Sequence, residues 1–188
     1  MSDQSVDRSA ARRLLDSHVT TSWLKKHSIA AAAVMEGLAR HFGENPNFWY
    51  VTGLLHDLDF DHTQDPQIHG EETAEILGSE GYPEQMIHAI RAHNAEHLNV
   101  ERQSRLDYAL SAAETITGLI VATALVMPDK KLASVKESSV RKRMKKKDFA
   151  RNVNRDRIAE CEQAGLDLET FISIALASMK DTADQLEL

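Results

Sequence analysis

The sequence predicts an all-α protein, a helical bundle of about seven to nine helices. Apolar residues recur at 3–4 spacing nearly everywhere, and no stretch sustains a period of two with β-branched enrichment. The periodic segments also start at capping residues or proline and stop at glycine or proline. The 188 residues suit one ordinary domain, and 42% hydrophobic against 27% charged residues suffices for a core and excludes wholesale disorder. The expected organisation is a single domain over 1–188, with a core over about 14–127, a basic segment over 128–150, and closing helices over 154–186 packed on it.

After a short N-terminal helix, a long one is expected from the Thr20-Thr21-Ser22 cap to Phe42, with Gly43 as its stop. Its apolar stripe reads Leu24, His27, Ala31, Val34, Leu38, Phe42, with a histidine inside it. Phe48 to Leu58 is almost continuously apolar and opens after Pro46-Asn47, so it predicts a helix buried on most sides, although it ends in His56 and Asp57. A third helix is expected over His69–Leu77, ended by Gly78, and a fourth from Pro83 to about His93. Met86, Ile87, Ile90 and His93 share the fourth helix's inward face. A long helix over Ser104–Met127 stops at Pro128 and carries Glu114 beside its apolar face. The basic strip follows, then helices over Asp156–Gln163 and Asp167–Leu186.

One cysteine, Cys161, excludes an internal disulfide framework and a cysteine-based zinc cluster, and suits a reducing compartment. The stretch MSDQSVDRSAARRLLD has no apolar leader core, and no run approaches the roughly 18 apolar residues that span a bilayer. A cytoplasmic location without membrane association is therefore expected. Residues 130–147 carry nine Lys/Arg against Glu137 alone; that net +8 leaves −15 on the other 170 residues of a chain whose total is −7. An acidic body with one basic strip does not resemble a nucleic-acid coat, and no nucleic-acid-binding module signature occurs. It suits local attraction of a phosphate-bearing ligand.

All nine histidines lie between His18 and His97. With 14 aspartates present, chance alone gives about 0.7 His-Asp dipeptides, so the pair His56-Asp57 means little by itself. Direction means more. His27, His56, Asp57 and His93 fall at apolar-face or buried-helix positions, and Glu114 borders one. An isolated carboxylate taken out of water costs many kcal/mol, so buried charges are normally paired or metal-bound. A His/carboxylate set suits a divalent ion such as Mn, Fe, Co, Ni or Zn. One cation held by His27, His56, Asp57 and Glu114 would leave positions open for water and substrate.

These segments also bring a resemblance. WLKKHSIAAAAVMEGLA, GLLHDLDF, HGEETAEIL, AIRAHN and AAETITGLIVATALVMP together resemble the HD superfamily of metal-dependent phosphohydrolases, closest to small bacterial single-domain members of HDIG type. The likeness covers roughly residues 14–185. It implies a helical fold holding a divalent metal (Mn, Mg, Fe, Co, Ni or Zn) through His27, His56, Asp57 and a later acid, here Glu114 where Asp is typical. Asp57 and His56 are then the expected catalytic residues. Members that bind two metals imply His69 and His93 as further ligands. In many members the third residue after the doublet serves the chemistry; here it is Phe60, and Asp59 or Asp61 is the alternative. Small members often dimerise, so a homodimer stands among the expectations.

Plainer readings stand beside these. A histidine on an apolar stripe is often a hydrogen-bonded core residue, which is the alternative for His27. Glu114 has the alternative of pairing with a nearby Arg or Lys. His93 has three readings: substrate contact or support, second-metal ligand, and core. For His69 the ordinary explanation is an exposed first-turn residue. His18, His41, His62, His88 and His97 are read as surface residues. Lys130 and Lys131 follow the helix carrying Glu114 and are expected near the metal site, facing substrate phosphate; the plain reading is a solvated face. Cysteine or serine nucleophilic catalysis is weakly supported, because Cys161 sits in a histidine-free half and no G-x-S-x-G occurs.

The function expected is hydrolysis of a small phosphomonoester or nucleotide by metal-activated water. The alternatives are a catalytically weakened nucleotide-binding or scaffold domain and a di-iron oxygenase of the same fold.

Overall fold

The computed structural model describes residues 6–63 and 65–188. The first five residues, part of the stretch read as lacking a leader, lie outside the described residues. Regular structure among the described residues consists of eleven α-helices and two single-turn 3₁₀ helices, without a strand. Eight helices have eight or more residues; the surplus over the expected number comes from α6 (Ala95–Leu98) and α11 (Ala183–Leu186), too short to display a period, whereas the helix expected over Asp156–Gln163 is present as α9 (Arg155–Ala159) running into a 3₁₀ turn.

Helix α1 (Arg8–His18) is capped by Asp7, whose carboxylate accepts from the Ser9 N–H, and buries Ala11 and Leu15. Helix α2 (Ser22–Phe42) ends as its sequence predicts, at Gly43 in the left-handed region with φ 71°. Its start is different. Thr21 makes no side-chain cap, and the Asp61 carboxylate instead receives the N–H groups of Thr20 and Thr21 at 2.7 and 2.8 Å. Helix α3 (Pro46–Leu55) opens with Asn45 accepting from the N–H groups of Asn47 and Phe48 and with Pro46 in the first turn. It stops three residues before the expected Leu58. His56 keeps helical angles, and the chain then turns through residues 57–62.

Helices α2 and α3 lie against each other so closely that a Cβ on Gly53 would stand 2.9 Å from the Ala31 carbonyl oxygen and from Ala32 Cα. Only glycine permits that approach. It holds α2 against α3 and so keeps His27, in the second turn of α2, beside His56 at the end of α3.

Helix α4 (Glu71–Ser79) starts after Gly70, whose φ of 89° turns the chain into the helix, and α5 (Glu84–His93) starts at Pro83. Helix α7 (Arg105–Leu125) has a reciprocal capping box between Ser104 and Asp107. Its 21 residues are long and apolar enough for a membrane span, contrary to the sequence expectation, but two-thirds of that stretch is buried inside the protein. It is the central helix, touching α2, α3, α5, α8, α9 and α10. Helix α8 (Glu137–Met144) carries much of the basic strip, with Val140 as its buried anchor. Helix α10 (Leu168–Asp181) covers α2 and buries Phe171, Ile172 and Leu176. One connected apolar core runs from Val6 to Leu186.

Candidate metal centre

Four imidazoles meet at one point, each delivered by a different segment. His27 comes from the second turn of α2, His56 from the end of α3, His69 from the turn before α4, and His93 from the last residue of α5. The Nε2 atoms of His27 and His56 are 3.2 Å apart, and those of His69 and His93 are 2.9 Å apart. The Asp57 carboxylate sits between the two pairs. Its Oδ2 lies 3.6 Å from His27 Nε2, and its Oδ1 lies 3.3, 3.4 and 3.5 Å from the Nε2 atoms of His56, His69 and His93.

The remaining ring nitrogens all face outward onto acceptors. His56 Nδ1 donates to the Gly53 carbonyl at 2.9 Å, and His93 Nδ1 donates to the Ile90 carbonyl. His69 Nδ1 donates to Asp59 Oδ1 at 2.8 Å. His27 Nδ1 is 3.1 Å from the Thr117 hydroxyl, which spends its own proton on the Glu114 carbonyl and so must accept from the ring. With every Nδ1 proton committed outward, each neutral imidazole turns an Nε2 lone pair to the centre. Four lone pairs and a carboxylate crowded together repel one another unless a cation lies among them. The donor set therefore fits divalent metal.

Glu114, halfway along α7, completes the set. One ligand atom each from His27, His56 and Glu114 lie within 4.8 Å of one another, and so do those of Asp57, His69 and His93. Two cations sharing the Asp57 carboxylate would use all six residues.

Residues 24–121, just over half of the chain, match the HD domain. The chain belongs to the HD domain family. All six donors fall inside the matched stretch, and the family places the chain in a superfamily of metal-dependent phosphohydrolases. Neither the curated proteins nor the solved structures contain a match to it.

Protonation within the HD site is uneven. Burial opposes charge on His56, but Asp57, aided by Glu114 and the Gly53 carbonyl, outweighs it and lifts the ring to about 9. Burial dominates at His27, lowering it to about 4, and also lowers His93. Burial raises Asp57, but His56, His93 and His27 together hold it well below the usual carboxylate range. A cluster without metal thus keeps a proton on His56 that a cation would replace.

A cavity of about 300 Å³ opens over the donors, walled by Trp23, Phe60, Asn94 and Arg157. Phe60 stands edge-on to both His69 and Trp23 with ring centroids 5.1 and 5.9 Å away, so it shapes the wall and offers no proton. Neither aspartate after the doublet reaches the cavity. Asp59 is fully buried, accepting from His69 and from the N–H groups of Gly70 and Thr73, and Asp61 caps α2. His69 is not an exposed helix residue: its side chain is 14% exposed, and Asn94 pins its backbone by donating to the His69 and Pro66 carbonyls.

Lys130 and Lys131 do not line this cavity. From Glu114 to Leu125 the axis of α7 advances about 16 Å at 1.5 Å per residue, carrying both lysines away from the donors. The cation at the cavity is Arg157 of α9, which the sequence reading missed. Its Nη1 lies 3.4 Å from Glu114 Oε1 and its Nη2 lies 3.3 Å from Glu96 Oε2. Glu114 therefore combines the two readings given to it, arginine partner and member of the donor group.

Proposed function

We propose that this protein is a divalent-metal-dependent phosphohydrolase that acts on a small phosphomonoester or nucleotide. The observation that carries the reading is the inward convergence of four Nε2 atoms on the Asp57 carboxylate, with all four Nδ1 atoms engaged outward. When bound, divalent metal supplies a nucleophilic water at neutral pH and positive charge against the phosphoryl oxygens. His27, His56, Asp57 and Glu114 would hold one ion; His69 and His93, with Asp57 shared, would hold a second. Arg157 contributes a permanent positive charge at the cavity wall, suited to a phosphoryl oxygen. Phe60 and Trp23 narrow the entrance and limit water around the reacting group. The side chains lining the cavity offer no free carboxylic acid to protonate a departing alkoxide, which favours esters of acidic alcohols such as phenols.

The test is turnover of p-nitrophenyl phosphate by metal-loaded protein, with Mn and Mg compared. Turnover that disappears in His56→Ala and Asp57→Ala, with helical circular dichroism retained, supports the reading; turnover unchanged in both variants removes it. The presence of the Asp57–His69–His93 group also favours a second reading, a di-iron oxygenase. Metal analysis of protein purified without added metal separates the two: two redox-active irons per chain point to the oxygenase, other divalent ions to the hydrolase.

A further inference from the structure

Beside the metal centre lies a second, larger cavity of about 510 Å³, between α2 and α7 and closed on one side by residues 186–188. It falls in the roughly 300–1,000 Å³ range of small-molecule sites. Its walls include Ala30, Val121, Leu125, Leu186 and Leu188. His27 and Trp23 line both cavities, so the space begins where the donor cluster ends.

Most of its polar side chains are already engaged. The Thr117 hydroxyl is used by His27 and by the Glu114 carbonyl, and Lys26 is ion-paired with Glu187. A nucleobase buried here would find few free partners for its ring nitrogens and exocyclic groups, and each buried group left unpaired weakens binding. An apolar group would lose nothing. The mouth agrees: Trp23 and Leu125, exposed by 58% and 50%, stand at it, and Val126 beside Leu125 is exposed by 55%. These are three of the four exposed large hydrophobic residues among those described, the other being Ile68.

We propose that this cavity binds the alcohol part of the substrate, and that the substrate is a phosphomonoester of an apolar alcohol rather than a nucleotide. The inference deepens the phosphohydrolase reading and rests on it for the word substrate, but binding can be measured without turnover. The phosphoryl group would lie over the donors beneath Arg157, with the apolar part passing His27 and Trp23 into the space between α2 and α7.

The experiment uses two probes that cannot be hydrolysed, octylphosphonate and methylphosphonate, titrated calorimetrically into metal-loaded protein. Octylphosphonate should bind at least about 100-fold tighter, a conservative figure for seven added methylenes. Val121→Trp, which fills the cavity, and Leu125→Gln, at the exposed mouth where folding is not at stake, should each cut that preference below tenfold. Turnover of phenyl, 4-butylphenyl and 4-octylphenyl phosphate, whose leaving groups are nearly equal in acidity, should rise in kcat/KM along the series. A preference for octylphosphonate without turnover of any ester supports the cavity and overturns the hydrolase. Turnover of p-nitrophenyl phosphate with no dependence on chain length in either assay overturns the cavity and leaves the hydrolase standing. Sedimentation showing a dimer that Leu125→Gln dissociates, with no octyl preference, assigns this face to a second copy and also overturns the proposal.

Discussion

Asp59 holds His69 from behind: the ring's Nδ1 donates to Asp59 Oδ1 at 2.8 Å, leaving Nε2 to face the Nε2 of His93. The carboxylate is fully buried, and Gly70 and Thr73 donate their N–H groups to its other oxygen at 2.6 and 3.2 Å. Burial alone would raise Asp59, but His69 and these amides hold it below its ordinary value, so it remains a carboxylate in neutral solution. It fixes both the tautomer and the direction of the ring.

Asp59→Asn should therefore weaken metal at the Asp57–His69–His93 group about 10- to 100-fold, while the His27–His56–Glu114 group changes much less. Calorimetric metal titration reads the two separately. An unaltered two-step isotherm would show that His69 needs no support from Asp59.

Asp57 is the one donor that faces both pairs of histidines, within 3.3–3.6 Å of each Nε2. Asp57→Asn should thus empty both positions together, whereas His93→Ala should empty one. Metal counted per chain after gel filtration checks this; loss of a single ion in Asp57→Asn would contradict a shared carboxylate.

The pH dependence of metal uptake follows from His56. Its raised value, about 9 against 6.5 for a free imidazole, means that the metal-free fold favours the protonated ring. That stabilisation is fully present below pH 6.5 and is lost as pH rises through about 9. Metal takes the proton's place. Burial opposes charge on His69 too, but its hydrogen bond to Asp59 and the charge of Asp57 raise it as well. Uptake at pH 7–8 should therefore release at least one proton, and affinity should climb with pH towards 9. His27, lowered to about 4, stays neutral across this window. Titrations in buffers of different ionisation enthalpy count the proton; zero release at pH 7.5 would refute the assignment.

Much of this could be read from the chain. Caps, glycines and prolines place α2, α4, α5 and α7 within a few residues, and His27 stands out because a polar ring interrupts an apolar stripe. What escaped detection depends on tertiary geometry. Asp59 and Asp61 alternate with apolar neighbours in a turn, and only the folded chain shows one buried behind His69 and the other capping α2 from 40 residues away. Arg157 lies 43 residues from Glu114 and belongs to no pattern, so nothing local marks it. Lys130 and Lys131 follow the helix of Glu114 closely in sequence but do not line its cavity, because a helix separates residues steadily along its axis.

Asp61 gives a stability prediction. It accepts from the amides of Thr20 and Thr21 and from their hydroxyls, which hold its carboxyl down at about 2. A depressed carboxylate stabilises above its unfolded value and loses that contribution as pH falls through about 2, so the window lies between pH 4 and 2. The site is largely open to solvent, which limits the charge part. Asp61→Ala should cost about 1 kcal/mol, as a lost helix cap does, and lower Tm by about 2–4 °C. Asp61→Asn, which keeps an acceptor, should cost less. Thermal unfolding at pH 7 measures both; equal Tm values in all three proteins would show that α2 does not need this cap.

The sharpest link between packing and the metal centre is Gly53, whose absent side chain lets α3 rest on the backbone of Ala31 and Ala32. Its carbonyl is also the acceptor that orients His56, one turn later. In Gly53→Ala the new methyl would meet main-chain atoms at 2.9 Å, and neither helix has a flexible end there to yield. The helices must separate by some tenths of an ångström, with an overpacking cost of about 1–3 kcal/mol. Separation moves His56 away from His27, because α2 carries one and α3 the other. Metal affinity in the His27–His56–Glu114 group should fall more than in the Asp57–His69–His93 group, whose histidines belong to other segments. A Gly53→Ala protein that loses stability but keeps both affinities would show that the centre tolerates movement of its own scaffold.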